Sequence, residues 1–126
     1  MDSAQLIEAK KRELINAAIS VRANSYSPIS HFPVGAAVLT KNGEIFSGAN
    51  VENASLPCGW CAEISAVAAA VSKGHRHLIA CAVSSKSDKS ISPCGLCRQT
   101  LSEFSTPETP LFLISGGGDV EEVQLG

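Results

Sequence analysis

Apolar residues between positions 4 and 23 recur at helical spacing. Leu6, Ile7, Leu14, Ile15, Ala18 and Val21 fall on one side, with Glu8, Lys11, Arg12 and Asn16 elsewhere. This pattern predicts an amphipathic helix with one buried face. Asn24-Ser25-Tyr26-Ser27-Pro28 ends it with turn-forming residues. The period then changes: Val34-Gly35-Ala36-Ala37-Val38-Leu39-Thr40 reads as a buried strand. Asn42-Gly43 favours a tight hairpin turn, from which residues 45–48 return as the partner strand. A polar loop follows over 50–57. Residues 62–73 are Ala-rich and closed by Gly74, the signature of a second helix and its C-terminal stop. Residues 78–83 predict a short strand and 84–90 a polar loop. Ser92 as N-cap and Pro93 as first helical residue open a third helix. Residues 111–114 form a further strand, 116–119 a turn and 120–123 a last strand.

Helix, hairpin, helix, strand, helix, strand is an order that needs crossover connections. It predicts an α/β fold with three layers, helices covering both faces of one sheet, in one domain spanning residues 1–126. Gly116-Gly117-Gly118 makes no phosphate loop, because no Lys-Ser/Thr pair or helix follows it.

Composition narrows the function. The chain is 44% apolar but only 5% aromatic, so Ala, Val, Ile and Leu carry the packing. Ten basic residues stand against 12 acidic ones, for a formal charge of −2. The one basic cluster, Lys10-Lys11-Arg12, belongs to the wet face of the first helix. Phosphate-backbone binding needs clustered cations, so a nucleic-acid polymer is not expected as partner. No apolar run reaches the ~20 residues of a membrane span. Residues 1–5 do not read as a signal peptide, which points to a cytoplasmic protein. Five cysteines, an odd number in a reducing compartment, do not form a disulfide framework. Metal or thiol chemistry fits them better.

The chemistry concentrates in Cys61-Ala62-Glu63 and Pro93-Cys94-Gly95-Leu96-Cys97. Cys94 and Cys97 share one face of a helix start, and Cys61 stands at the start of another. Helix N-termini lower thiol pKa and favour the thiolate that a metal needs. Three thiolates would leave the fourth tetrahedral position of zinc to water, which is the pattern of a catalytic site. Glu63 follows a ligand by two residues, placed to move protons beside the metal without binding it. It would take a proton from an activated water whose oxygen attacks a ring carbon, then protonate the ring and the departing amine. This matches the three-cysteine signature of zinc deaminases. Each residue also has a plainer account. A single Cys is often a small buried hydrophobe, and a lone Glu an exposed helix residue. Cys58-Gly59-Trp60-Cys61 with Cys94-Gly95-Leu96-Cys97 also makes a pair of CxxC motifs that could close on a structural zinc. Ribbon sites separate such pairs by ~15–20 residues, whereas 32 residues (62–93) lie between Cys61 and Cys94.

With Phe32-Pro33-Val34-Gly35-Ala36-Ala37, Gly48-Ala49-Asn50-Val51-Glu52-Asn53-Ala54 and Ser92-Pro93-Cys94-Gly95-Leu96-Cys97-Arg98-Gln99, the chain resembles the small homo-oligomeric cytidine deaminases over about residues 26–123. The resemblance implies a five-stranded mixed sheet sandwiched by helices and one Zn²⁺ per chain held by Cys61, Cys94 and Cys97. It implies Glu63 as proton shuttle, Asn50 and Glu52 on the ribose, and Phe32 lining the nucleoside pocket. The Ala62 N–H and a carbonyl near Ser92 would read the base edge. It implies hydrolysis of cytidine and 2′-deoxycytidine, and a homo-oligomer, a tetramer or a dimer. For Asn50 and Glu52 the plainer account is loop solvation.

Three positions depart from the family pattern. Ile64 stands where many three-cysteine members have an Arg that offsets the net charge of the thiolates. Its absence is shared by the related blasticidin S deaminases, which lack the Asn-x-Glu pattern of Asn50 and Glu52. Leu56-Pro57-Cys58-Gly59-Trp60 replaces the family's more usual polar-aromatic stretch beside the pocket, and the sequence stops at Gly126 where relatives continue to an aromatic-ended tail. These departures keep two alternatives open: a deaminase of blasticidin S or another modified cytosine nucleoside, and a non-catalytic zinc-containing homologue. Arg98 is expected to support the metal helix, and His31, His75 and His77 sit in no motif.

Overall fold

A computed structural model describes all residues except Leu56, Pro57, Lys89, Ser90, Ile91, Ser92 and Cys94. Its elements are α1 (Ser3–Val21), a 3-10 turn (Arg22–Asn24), β1 (Val34–Thr40), β2 (Ile45–Ala49), α2 (Ala62–Ser72), β3 (Leu78–Ser85), α3 (Gly95–Glu103), β4 (Pro110–Ile114) and β5 (Val120–Gln124). The strands form one sheet in the order β2-β1-β3-β4-β5. Only β3 and β4 run parallel; the other neighbours are antiparallel. The mixed five-stranded sheet is the expected one.

Strand periodicity sorts the core into two layers. Ala37, Leu39, Ala80, Ala82, Phe112 and Ile114 turn to one face, where Leu14 and Ala18 of α1 cover them. Ala36, Val38, Cys81, Val83, Leu111 and Leu113 turn to the other, beneath Ala62, Ala66, Val67 and Ala70 of α2 and Leu101 of α3. Neighbouring residues of β1, β3 and β4 therefore serve opposite layers, as the two-residue repeat of a strand requires. The three layers are helix, sheet and two helices.

Several boundaries differ from the sequence expectation. The first α-helix closes at Val21 and tightens into the 3-10 turn, where Ser25 N–H donates to the Arg22 carbonyl at 3.1 Å. At its start Asp2 and Gln5 form a capping box, with reciprocal bonds of 2.8 and 3.0 Å. The expected tight hairpin turn is present, with Lys41 to Gly43 connecting the bonded residues Thr40 and Glu44. Gly43 takes a φ of 88°, its N–H donates to Thr40, and Thr40 N–H donates to Glu44. A short turn completed by a left-handed glycine is a common hairpin closure. Strand β3 continues through Ser84 and Ser85, which the sequence assigns to a loop. Both are buried, and they pair with Gly35 and Val34 of β1. Arg22 satisfies them from α1's end, its guanidinium donating to the Ser85 carbonyl at 2.5 Å. Pro93 is buried but not helical, and α3 begins at Gly95; the expected cap, Ser92, lies outside the described residues.

Candidate active site

The site is built where α2 leaves the loop after β2. That loop is tied from both sides: Tyr26 and Val51 form a parallel bridge, and Val51 and Trp60 an antiparallel one. The main chain at Trp60 is thereby held by reciprocal bonds of 2.9 and 3.0 Å to Val51. The next residue, Cys61, is the N-cap of α2, with an extended backbone (φ −79°, ψ 159°) and no side-chain capping bond. Ala62 and Glu63 are the first two helical residues, so their N–H groups belong to the set with no partner inside the helix. Ala62 is fully buried, and Glu63 is 5% exposed.

Glu63 carries its carboxyl group inside the protein. Burial pushes its pKa up, more than bonds from its own N–H and from the Cys97 thiol pull it down. The helix N-terminus also favours its anion, yet desolvation prevails. The thiol contact joins α2 to α3, since Cys97 is buried in the first turn of α3. On the sheet side lies Cys81 of β3, whose thiol is held protonated by burial and by the nearby Glu63 charge. Cys81 is thus a core residue, and Cys58 is exposed, its N–H donating to the Ser55 carbonyl. Cys94 and Ser92 lie outside the described residues. Among the described residues, no three His, Cys, Asp or Glu side chains form a cluster suited to a metal. The thiols of Cys61 and Cys97, flanking a buried carboxylate at two helix starts, have the soft-donor chemistry that zinc prefers.

A cavity of about 310 Å³ opens beside Cys61, lined by Ile29, Asn50, Val51, Glu52, Asn53, Gly59, Trp60 and Cys61. The polar residues at its wall also bind their own chain. The Asn50 side-chain oxygen accepts from Val34 N–H (2.8 Å) and the Ser25 hydroxyl (2.5 Å), and its amide donates to the Phe32 carbonyl (3.1 Å). Glu52 accepts from the N–H groups of Ile29 (2.9 Å) and Ser30 (3.1 Å), and from the Ser30 hydroxyl. Asn50 and Glu52 thus staple residues 25–34 to the loop, a role that spacing gives no sign of. Phe32 is half-buried and is not one of the residues lining the cavity; Ile29 takes that place.

The Ser30 hydroxyl is the main cause of a lowered Glu52 pKa, with the Ser30 and Ile29 N–H groups and the His31 charge acting the same way. A depressed folded pKa adds stability that is present above the ordinary carboxylate pKa and lost as pH falls through the folded value. Ser30→Ala should therefore lower the thermal midpoint at pH 7 and lose that deficit once Glu52 is protonated. Thermal melts of both proteins from pH 7 down to pH 3 check this; an unchanged deficit at acid pH would assign it to something other than Glu52.

Comparison with known proteins now decides the family. The sequence model of the cytidine and deoxycytidylate deaminase zinc-binding region matches residues 8–113. The cytidine deaminase of Halalkalibacterium halodurans is 41% identical over 115 residues, covering 91% of this chain and 87% of the relative. The chain belongs to the cytidine deaminase family. The Sporosarcina psychrophila cytidine deaminase is 42% identical over 99% of this chain and 86% of its own. The crystal structure of the Burkholderia pseudomallei cytidine deaminase superposes with a TM-score of 0.86 at 40% identity, over 91% of this chain and 92% of that one. The cytidine deaminase fold therefore agrees with the sheet order and layering above. Membership brings a zinc-binding region with it. No helix among the described residues is long and apolar enough to cross a membrane.

Within this cytidine deaminase-family fold, Arg98 does something the sequence hides. Its guanidinium donates to the Leu125 carbonyl at 2.5 Å, which ties α3 to the chain beyond β5. Ile64, in the departure position, is half-buried in the first turn of α2. His75 lies at the far end of α2, 3.0 Å from Glu44.

Proposed function

We propose that this chain hydrolyses cytidine and 2′-deoxycytidine to uridine and 2′-deoxyuridine with release of ammonia. The observation that carries the proposal is Glu63, a buried carboxyl with a raised pKa at the start of α2, hydrogen-bonded to the Cys97 thiol and two residues beyond Cys61. In our reading Cys61, Cys94 and Cys97 hold one Zn²⁺ per chain. When bound, zinc supplies the positive charge that makes a water acidic near neutral pH. Glu63 accepts a proton from the attacking water and delivers protons to the ring nitrogen and the departing amine, as the carbon–nitrogen bond breaks. A carboxyl whose pKa is raised toward the working pH suits both directions of transfer. The Ala62 N–H, one of the first-turn donors of α2 with no partner inside the helix, and a carbonyl near Ser92 hold the base edge. Asn50 and Glu52 bind the sugar, and Phe32 shapes the pocket's approach. The exposure of Cys58 supports three thiolates over four.

The reading extends to a single domain over residues 1–126, a cytoplasmic homo-oligomer (tetramer or dimer) and a place in pyrimidine salvage. A free nucleoside is the substrate, and neither a nucleic-acid polymer nor a membrane is a partner. Light scattering of the purified protein checks the assembly.

Ile64 supports a second reading, a deaminase of blasticidin S or another modified cytosine nucleoside. Ultraviolet assays on cytidine, deoxycytidine and blasticidin S in parallel separate the two. The expected result is turnover of the first two, one zinc per chain, loss of activity on chelation and recovery with added zinc. Turnover of blasticidin S alone would move the protein to the second reading. Silence on all three with zinc bound would leave a non-catalytic homologue.

A further inference from the structure

We infer that Trp60, the single tryptophan of the chain, is the aromatic face against which the pyrimidine ring stacks, and so sets affinity for the nucleoside. The inference rests on the nucleoside reading above and adds a residue to it. Trp60 immediately precedes Cys61, and both line the same cavity as Asn50 and Glu52. Its backbone is fixed by both bonds to Val51, while 47% of the residue remains exposed. The indole is therefore anchored at its root and about half exposed. Across the cavity wall Ile29 is also open, at 58% exposure.

Large apolar side chains left open beside a small cavity are costly unless something covers them, and a flat aromatic base is a suitable cover. The cavity volume, about 310 Å³, lies at the small end of the range for ligand pockets. The polar wall is already partly engaged. Asn50 gives its oxygen and one amide hydrogen to residues 25, 32 and 34, and Glu52 receives three bonds from residues 29 and 30. Fewer hydrogen bonds remain for the ligand, so stacking must carry more of the binding. Base–aromatic stacking tolerates any flat ring, so Trp60 sets affinity and leaves the chemistry of the amine to Glu63.

The test uses the fact that one residue is both probe and subject. Cytidine is titrated into zinc-loaded Glu63→Gln protein while tryptophan emission is followed, and kcat and KM are measured for wild type, Trp60→Ala and Trp60→Phe. The expected result is saturable quenching by cytidine, a KM about tenfold higher in Trp60→Ala with kcat changed less than threefold, and substantial recovery of KM in Trp60→Phe. Circular dichroism confirms that the variants fold. Intact deamination with no quenching and an unchanged KM in Trp60→Ala would overturn the role of Trp60 and leave the reaction standing. So would a variant that changes only in self-association, since that places the indole at a subunit contact. Saturable quenching without any deamination would remove the reaction and keep Trp60 as a nucleoside wall. Neither quenching nor deamination would remove both.

Discussion

Glu63→Gln should lower kcat on cytidine by about 10²–10⁴-fold, the range lost when a positioned general acid–base is removed, while zinc content stays at the wild-type level. Gln keeps the shape and one acceptor oxygen but cannot take or return a proton. The Gln amide can donate to a zinc-bound Cys97 thiolate, so the contact between α2 and α3 survives. Removing a charge that burial already disfavours leaves the fold no less stable, because the raised pKa of Glu63 reflects an energetic cost of the anion in that place. Three measurements separate the roles: ultraviolet turnover, metal content and thermal midpoint. Lost turnover with zinc and midpoint retained is the expected pattern. Retained turnover would remove Glu63 from the chemistry, and lost zinc would make it part of the metal's support.

Gly48→Ala should destabilise the protein by about 1–3 kcal/mol, the range for forcing extra volume into a packed interior, and reduce activity as well. A Cβ at Gly48 would sit 2.5 Å from the Ser65 side chain and 2.6 Å from the Ala66 nitrogen. The Ser65 hydroxyl can rotate away, but its Cβ and a helix backbone nitrogen cannot. Relief must come from moving α2 off β2, and α2 begins with Ala62 and Glu63 just after its N-cap Cys61. A shift of about 1 Å at reacting groups can cost on the order of 10²-fold in rate. Denaturant unfolding combined with kcat measured well below the melting temperature checks both effects. A destabilised variant with wild-type kcat would show that α2 absorbs the strain without moving its N-terminus.

The split between what was legible and what was not follows from the range of the interactions. Short apolar runs in residues 34–40 and 78–83, and helical spacing in 4–23, are local signals that survive without a partner, so the elements and their three-layer arrangement could be read directly. Cys61-Ala62-Glu63 and Cys94-Gly95-Leu96-Cys97 are short local motifs as well, and they carry the proposed zinc chemistry. Serines 84 and 85 misled because their polarity suggests a loop, and only pairing with β1 and the distant Arg22 makes a buried strand of them. Arg98 is expected to support the metal helix, but its contact, the Leu125 carbonyl 27 residues on, is visible only in the fold.

The sequence by itself determined the α/β layering and the family resemblance, since periodicity and short motifs are properties of adjacent residues. Tertiary structure decided that Cys81 is core, that Glu63 is buried against Cys97, that Asn50 and Glu52 brace the loop at residues 25–34, and that Trp60 walls the cavity. Each of these depends on how much water a group loses and on which distant groups replace it, and neither exists until the chain has closed around the site.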